Sequence, residues 1–466
     1  VQADGTIQTA GERQAFIWLS LKGAPHGSAR ETSLSTGEGK APYELQISLS
    51  PEQLGVEATV FIGSKAWQGV DPDRPIVILP DAFGLQDLDQ LHLLLVGGQS
   101  GRAVTASAAI QVANDEIRSF RYDLLALHDV MEVTDFDSTA GRRLLRVAEE
   151  VLGALTFDGA GSPHVGAAAS ALRDALLAWQ TENRDAERPT LYVIGNSHID
   201  LTWLWTAAET RHKMHRTTAT ALRYQEMYPK YHFVQSQSWL YNALAEDDPE
   251  LSSRVDQQVA AGKWDFAGGA FVEPDCNLSS GESLVRQLLL GQHDWRRRYG
   301  SYSRVMWLPD TFGYASCLPQ LIRKAGMSYF VTQKLTWSEN NVFPHGHFEW
   351  EGLDGTRVRC IFPQAYWVRF TAQQIALYHG RYPSKALDDA MLFPYGWGDG
   401  GGGPHPEDLE MIDRLGAYPC MPEVVTGTVE SALDTLAARV DDKDVPIPVW
   451  RGELYLEFHR GTLTTH

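Results

Sequence analysis

Residues 189–198 read PTLYVIGNSH, an apolar run opened by proline and closed by Asn-Ser-His. A strand buried on both faces reads as a continuous hydrophobic run, whereas a half-exposed strand alternates. The stretch therefore predicts a buried strand whose C-terminal end turns polar at His198. The pattern recurs downstream in YHFVQSQ (231–237), WDFAGG (264–269), RVMWLPD (304–310), SYFVTQK (328–334), VRCIFP (358–363) and EVVTGT (423–428). Helical stretches stand between these runs: 209–229, 249–264, 281–300, 318–326 and 406–418. Alternation of strand and helix argues a parallel sheet or barrel, so the fold class expected from 189 onward is α/β. Chemistry in such folds sits at the C-terminal ends of the strands.

Upstream the rhythm differs. RQAFIWLSL, YELQISLS, EATVFIGSKAW, RPIVILPD, HLLLVGG and AVTASAAIQV are short runs parted by Gly, Pro and Asp. They predict a mostly antiparallel β-sandwich over 1–135. RRLLRVAEEVLGAL and AASALRDALLAWQTENR carry apolar residues at helical spacing and predict a helical linker over 136–188. The α/β unit is then 189–466.

Composition narrows the partners. The 466 residues carry 40 Lys+Arg against 59 Asp+Glu, a net charge of −19. An acidic chain with no basic block is a poor ligand for polyanions, which argues against nucleic acid and anionic membranes. The longest apolar runs fall far short of the ~20 residues that span a bilayer, and the first residues show no export signal. Four cysteines without a CxxC pair (Cys276, Cys317, Cys360, Cys420) fit a reducing compartment, here the cytoplasm. The 14 Trp fit either sugar-stacking surfaces or large cores.

Several strand ends could carry chemistry. His198 and Asp200 stand two apart and share a side of the chain, offering an imidazole and a carboxylate to one metal; a polar strand end before a capped helix reads equally well. Asp310 follows Leu-Pro in LPDTFG, either at the mouth of the sheet or as a helix cap. Glu273 and Asp275 also stand two apart. Ser279-x-x-Glu282 has the form of a capping box, and Arg286, one turn on, could clamp a carboxylate or pair with Glu282. Asp399 lies in GWGDGGGGP (396–404), where no Lys-Ser/Thr follows the glycines, so a phosphate loop is disfavoured. A carboxyl on a Gly-rich loop suits a general acid; a plain turn reads equally well. His345 and His347 form a possible metal pair, with packing or substrate contact as the alternative. His212 and His215, with Arg211, Lys213 and Arg216, read as a solvated basic face. His459 follows the strand-like run ELYLEF.

Six blocks together resemble the α-mannosidases of glycoside hydrolase family 38, in the long form with an N-terminal β-domain. They are GNSHIDLTWLW (195–205), GGAFVEPDCNLSSGESLVRQLLLGQ (268–292), VMWLPDTFGYASCLPQLIRKAG (305–326), YFVTQKLTWSENNVFPHGHFEWEGLDG (329–355), YGWGDGGGGP (395–404) and GELYLEFHRGTLTT (452–465). The resemblance implies a (β/α)7 barrel and one zinc ion on His198, Asp200, Asp310 and His459, with cobalt as a substitute. It implies Asp310 as nucleophile, Asp399 as general acid/base, Trp203 as the floor under a mannose ring and Asp275 as a hydroxyl-binding carboxylate. Glu273, Arg286 and His345 complete the expected substrate contacts. Ala270–Phe271 departs from the family, which often has Trp there. The expected activity is that of a retaining, zinc-dependent α-mannosidase acting on mannose-containing oligosaccharides. The alternatives are a metal-dependent carbohydrate deacetylase and a non-catalytic carbohydrate-binding protein. The resembling proteins continue into a helical bundle and β-domains, so the chain is expected to be an N-terminal portion whose remainder is a partner. A homo-oligomer is also expected.

Overall fold

The computed structural model describes residues 6–8, 16–20, 43–49, 57–80, 83, 85–96, 103–112, 114–159, 161–338, 340–443 and 445–457. His459 lies outside the described residues.

Before residue 113 the described chain forms two four-stranded antiparallel sheets. One has the order Thr6–Gln8, Ala103–Val112, Tyr43–Leu49, Ile76–Ile78; the other runs Phe16–Ser20, Leu91–Val96, Glu57–Ile62, Lys65–Val70. Leu45, Ile47 and Val77 from the first sheet share a core with Val60, Val70, Leu93 and Leu95 from the second. The strands of 1–135 are thus present up to Val112. Asp115–Val133, however, is a helix, capped by the Asn114 side chain on the Ile117 N–H. Its apolar spacing is interrupted by charges, so the run reads weakly by periodicity. Two further helices, Thr139–Ala154 and Gly166–Glu182, follow.

From Thr190 the chain is mixed α/β, as expected. The strand Thr190–Asn196 pairs in parallel with three others: Ala390–Tyr395 on one side, and Glu423–Thr426 and Phe233–Val234 on the other. Trp264–Asp265 extends this sheet. A second sheet runs Val305–Trp307, Tyr329–Val331, Arg357–Ile361 in parallel, then His347–Glu351 antiparallel and Val449–Arg451. Three strands escape the apolar-run reading, the short Val449–Arg451 among them. Ala390–Tyr395 is fully buried but contains Pro394, which demotes a run by sequence rules. His347–Glu351 alternates.

Side-chain alternation divides the strands between two environments. Ile194, Val234, Val305, Trp307, Tyr329, Val331, Ile361, Ala390 and Leu392 meet in one cluster drawn from both sheets, joined by Leu433 and Leu436 of the helix Val429–Asp441. The intervening residues, Leu191, Val193, Phe233, Met391 and Phe393 among them, face the surrounding helices. Burial on both faces is why these strands read as unbroken apolar runs.

The helix Ala207–Met227 starts at Thr206, whose hydroxyl accepts from the Glu209 N–H. Its basic residues do not form a solvated face. Lys213 and Arg216 are buried, because the strand Lys65–Val70 lies across this helix. Gly69 makes the approach possible: a Cβ there would stand 2.3 Å from Cγ of Arg216. The Gly69 N–H donates to the Thr220 hydroxyl at 2.9 Å. The helix Gly281–Tyr299 is capped by Ser280, not Ser279: the Ser280 hydroxyl accepts from the Ser283 N–H, and Glu282 pairs with Arg286, so the expected capping box does not form. No helix among the described residues is long and apolar enough to cross a membrane.

Leu392 is 1% exposed in the cluster shared by both sheets. Leu392→Ala should destabilise the fold by about 2–5 kcal/mol, seen as a lower urea midpoint. Leu353→Ala, at an 80% exposed position, should stay within about 0.5 kcal/mol of the parent.

Candidate active site

The polar ends of the strands converge. His198 and Asp200 follow Thr190–Asn196, Gln237 follows Phe233–Val234, and Glu273 follows Trp264–Asp265. Asp310 follows Val305–Trp307, Lys334 follows Tyr329–Val331, Tyr366 follows Arg357–Ile361, and Asp399 follows Ala390–Tyr395.

His198 is the centre. Its Nε2 lies 3.4 Å from Oδ1 of Asp200 and 3.5 Å from Oδ2 of Asp310. One ligand atom from each of the three lies within 4.8 Å of the other two. The opposite ring nitrogen, Nδ1, lies 3.4 Å from Oε2 of Glu273. Oε1 of Glu273 accepts from the Asp310 N–H at 2.6 Å and from the Thr311 hydroxyl at 3.0 Å. Gln237 steadies the same corner, donating to the Ile199 carbonyl and accepting from the Glu273 N–H. Burial pulls the His198 imidazole down, but the charges of Asp200, Glu273 and Asp310 outweigh it and push it up to about 10. Burial raises Glu273 to about 7, against the opposing pull of His198.

This donor set fits a zinc-type ion. Imidazole and carboxylate are ligands zinc takes. Oδ2 of Asp200 is buried and accepts no hydrogen bond, as expected of an oxygen built for a cation. A ligating histidine ordinarily offers its second nitrogen to a carboxylate, and Glu273 stands there. Glu273 is therefore placed behind His198 rather than in the open site where substrate contact was expected.

Asp310 has a second face. Its Oδ1 is in contact with the buried Lys334 ammonium and accepts from the Tyr366 hydroxyl at 3.0 Å. Lys334 lies over the Trp337 ring at 3.5 Å, and Tyr366 meets the His198 ring edge-on. Neither Lys334 nor Tyr366 stands out by sequence; strand-end position is the signal that could have found them. Asp399 sits at a positive φ of 47° and is exposed at the mouth. Protein crowding and the charges of Asp200 and Asp310 raise its carboxyl, against the pull of His198 and Lys334.

The other expected residues divide. Trp203 is 48% exposed, edge-on to Trp205. One oxygen of Asp275, Oδ1, accepts from the N–H groups of Asn277 and Leu278. Arg286 is exposed on its helix and pairs with Glu282. His345 lines a cavity of about 670 Å³ with Trp337, Trp367 and Arg381. The cavity wall does not include the His198 cluster; Tyr366 joins the two. His347 is no partner of His345 for a metal. It is buried beside Arg359, and burial together with that guanidinium pushes it down to about 4.

A family model for the N-terminal domain of glycosyl hydrolases family 38 matches residues 188–453, more than half of the chain. The chain belongs to glycoside hydrolase family 38. It is 33% identical to alpha-mannosidase G of Dictyostelium discoideum over 361 residues, covering 77% of this chain and 32% of that protein. It is 39% identical to an alpha-mannosidase of Saccharomyces cerevisiae over 291 residues, covering 59% and 26%. Among solved structures it is similar to an alpha-mannosidase from Enterococcus faecalis V583, at 21% identity and a TM-score of 0.48, covering 57% of this chain and 31% of that one. The chain therefore spans about a third or less of the length of these relatives.

With His198 pushed up to about 10, the imidazole carries a proton at neutral pH that must leave before Nε2 can hold a metal. Apparent zinc affinity should therefore rise by about tenfold per pH unit from about pH 6 to about pH 8. Competition against a chromophoric chelator measures this; a flat profile would show that His198 carries no proton in the metal-free protein over this range.

Proposed function

We propose that the protein is a retaining, zinc-dependent α-mannosidase that releases terminal α-linked mannose from oligosaccharides. The observation that carries the reading is the convergence of His198, Asp200 and Asp310 on one point, with Lys334 on the far oxygen of Asp310. On this reading both parallel sheets belong to one (β/α)7 barrel beginning at 189. The shared apolar cluster supports that arrangement, and the family match starting at residue 188 supports the boundary. The two antiparallel sheets form a sandwich domain, and the remainder of a longer polypeptide is its partner. The thiols of Cys276, Cys317, Cys360 and Cys420, all free, favour the cytoplasm.

The chain's residues then take defined tasks. His198, Asp200 and Asp310, with His459, would hold the ion. Bound there, it supplies a Lewis-acidic contact for sugar hydroxyls. Lys334 and Tyr366 hold one oxygen of Asp310 and so orient its carboxylate. The Asp310 carboxylate attacks the anomeric carbon as the glycosidic C–O bond breaks, while Asp399 gives its proton to the departing oxygen. In the second half Asp399 takes a proton from water, the hydroxide oxygen bonds to the anomeric carbon, and Asp310 leaves. Two inversions return the original configuration. A carboxyl meant to donate at neutral pH must sit above the ordinary range, and the shift of Asp399 has that direction. Trp203 and the aromatic cavity beside Tyr366 are the sugar-facing surfaces, with Asp275, His345 and Arg286 as outer contacts. A deacetylase would leave Asp399 and Lys334 without a task.

Hydrolysis of an aryl α-mannoside, followed by NMR of the first-formed anomer, tests the reading. Chelation should abolish turnover, and Zn²⁺ or Co²⁺ should restore it. Asp310→Asn should lower kcat by at least about 10⁴-fold and weaken metal binding. Asp399→Asn should spare metal binding and cost about 10²–10⁴-fold on a poor leaving group, far less on an activated one. Full activity in metal-free protein, or an inverted product, would overturn the proposal.

A further inference from the structure

The segment Gly398–Gly403 carries Asp399 between glycines, and Gly400, Gly401, Gly402 and Gly403 all adopt positive φ, from 70° to 107°. Four consecutive glycines have the largest backbone freedom a chain can offer, and no side chains with which to anchor themselves. An ordered position for Asp399 must therefore be imposed by neighbours.

Those neighbours include the N-terminal region. Asp71 closes the turn after the strand Lys65–Val70, its Oδ1 accepting from the Asp73 and Arg74 N–H groups. The Arg74 guanidinium is buried; its Nε and Nη2 donate to Oδ2 of Asp71 at 3.0 and 2.7 Å, and its Nη1 donates to the Gly403 carbonyl at 3.0 Å. Arg216 binds the same Oδ2 at 2.7 Å and reaches the Gly400 carbonyl at 3.4 Å. Thr217 accepts from the Gly402 N–H at 2.8 Å. Glu57, at the start of the strand Glu57–Ile62 that pairs with Lys65–Val70, receives Lys213 at 2.8 Å and Arg216 at 2.9 Å. The packing is tight enough to dictate sequence: a Cβ on Gly402 would stand 1.8 Å from Nη2 of Arg74. Burial would raise the Asp71 carboxyl, but Arg74 and Arg216 outweigh it and hold it at about 2, so the cluster stays ionised.

We infer that Arg74, locked by Asp71, is a positioning residue for the general-acid loop, so that the N-terminal β-region is a working part of the active site. The inference rests on the reading of Asp399 as the acid. Arg74 touches no reacting atom; it acts through Gly403 and the loop backbone. Loosening the loop should therefore damage proton donation while leaving sugar binding and metal binding intact.

The test uses the full-length protein with two α-mannosides, one with an activated dinitrophenyl leaving group and one with a poor alkyl leaving group. Arg74→Met leaves Asp71 paired with Arg216, so no buried carboxylate is orphaned. It should lower kcat on the alkyl substrate by about 10²-fold and on the dinitrophenyl substrate by about threefold or less. KM and bound metal should stay unchanged, and amide exchange at 398–403 should quicken. Arg74→Lys, which keeps the charge but not the fork, should fall between. Gly402→Ala should reproduce the pattern with every charge in place. Unchanged exchange at 398–403 in Arg74→Met, or equal loss on both substrates while Asp399→Asn discriminates between them, overturns the inference. If Asp399→Asn itself fails to discriminate, the acid reading is what falls, and the inference falls with it even where the loop loosens.

Discussion

Three carboxylates crowd one buried imidazole, and the site depends on how that negative charge is balanced. Asp200 and Asp310 face one ring nitrogen of His198, and Glu273 faces the other. Like charges at such separations in a poorly solvated pocket repel strongly. The Lys334 ammonium on Asp310, the N–H and hydroxyl donors on Glu273, and His198 itself offset the repulsion. One oxygen of Asp200 is left over, buried and without a hydrogen bond. A cation at that position would complete the balance, which is why the arrangement reads as a metal site rather than a polar core.

The strands beneath make this concentration of charge tolerable. Each buries one face in the cluster common to both sheets and the other against helices, so the backbone positions are held by apolar packing on two sides. The charged residues begin where the strands end. Parallel pairing brings those ends to the same edge, and residues from 198 to 399 in sequence become neighbours without any of them having to sit inside the apolar layers.

The N-terminal sheets are coupled to that edge through the helix Ala207–Met227. Its buried Lys213 and Arg216 face Glu57 and Asp71 from two different parts of the sheet region. Buried ion pairs are a weak source of stability, because the desolvation cost nearly cancels the attraction. They are strongly directional, however, and only one relative placement of helix, turn and glycine loop satisfies all of them. Geometry rather than stability is what this network supplies.

Many of the strands and half of the site were legible in the sequence. Strands buried on both faces announce themselves as apolar runs, and His198, Asp200 and Asp310 stand in short polar breaks just beyond such runs, while Asp399 is marked by the glycines around it. The exceptions have physical reasons. Ala390–Tyr395 hides behind its proline, and Asp115–Val133 behind its charges. Lys334 and Tyr366 look like ordinary surface residues until the sheet places both against Asp310. Glu273 looks like a substrate ligand until burial sets it behind His198, and Lys213 and Arg216 look solvated until a strand covers them. Residue type and periodicity determine which segments are strands and where their polar ends fall. Which charges meet is decided by tertiary structure, because a carboxylate's partner is set by distance in space, and parallel pairing joins residues that lie far apart along the chain.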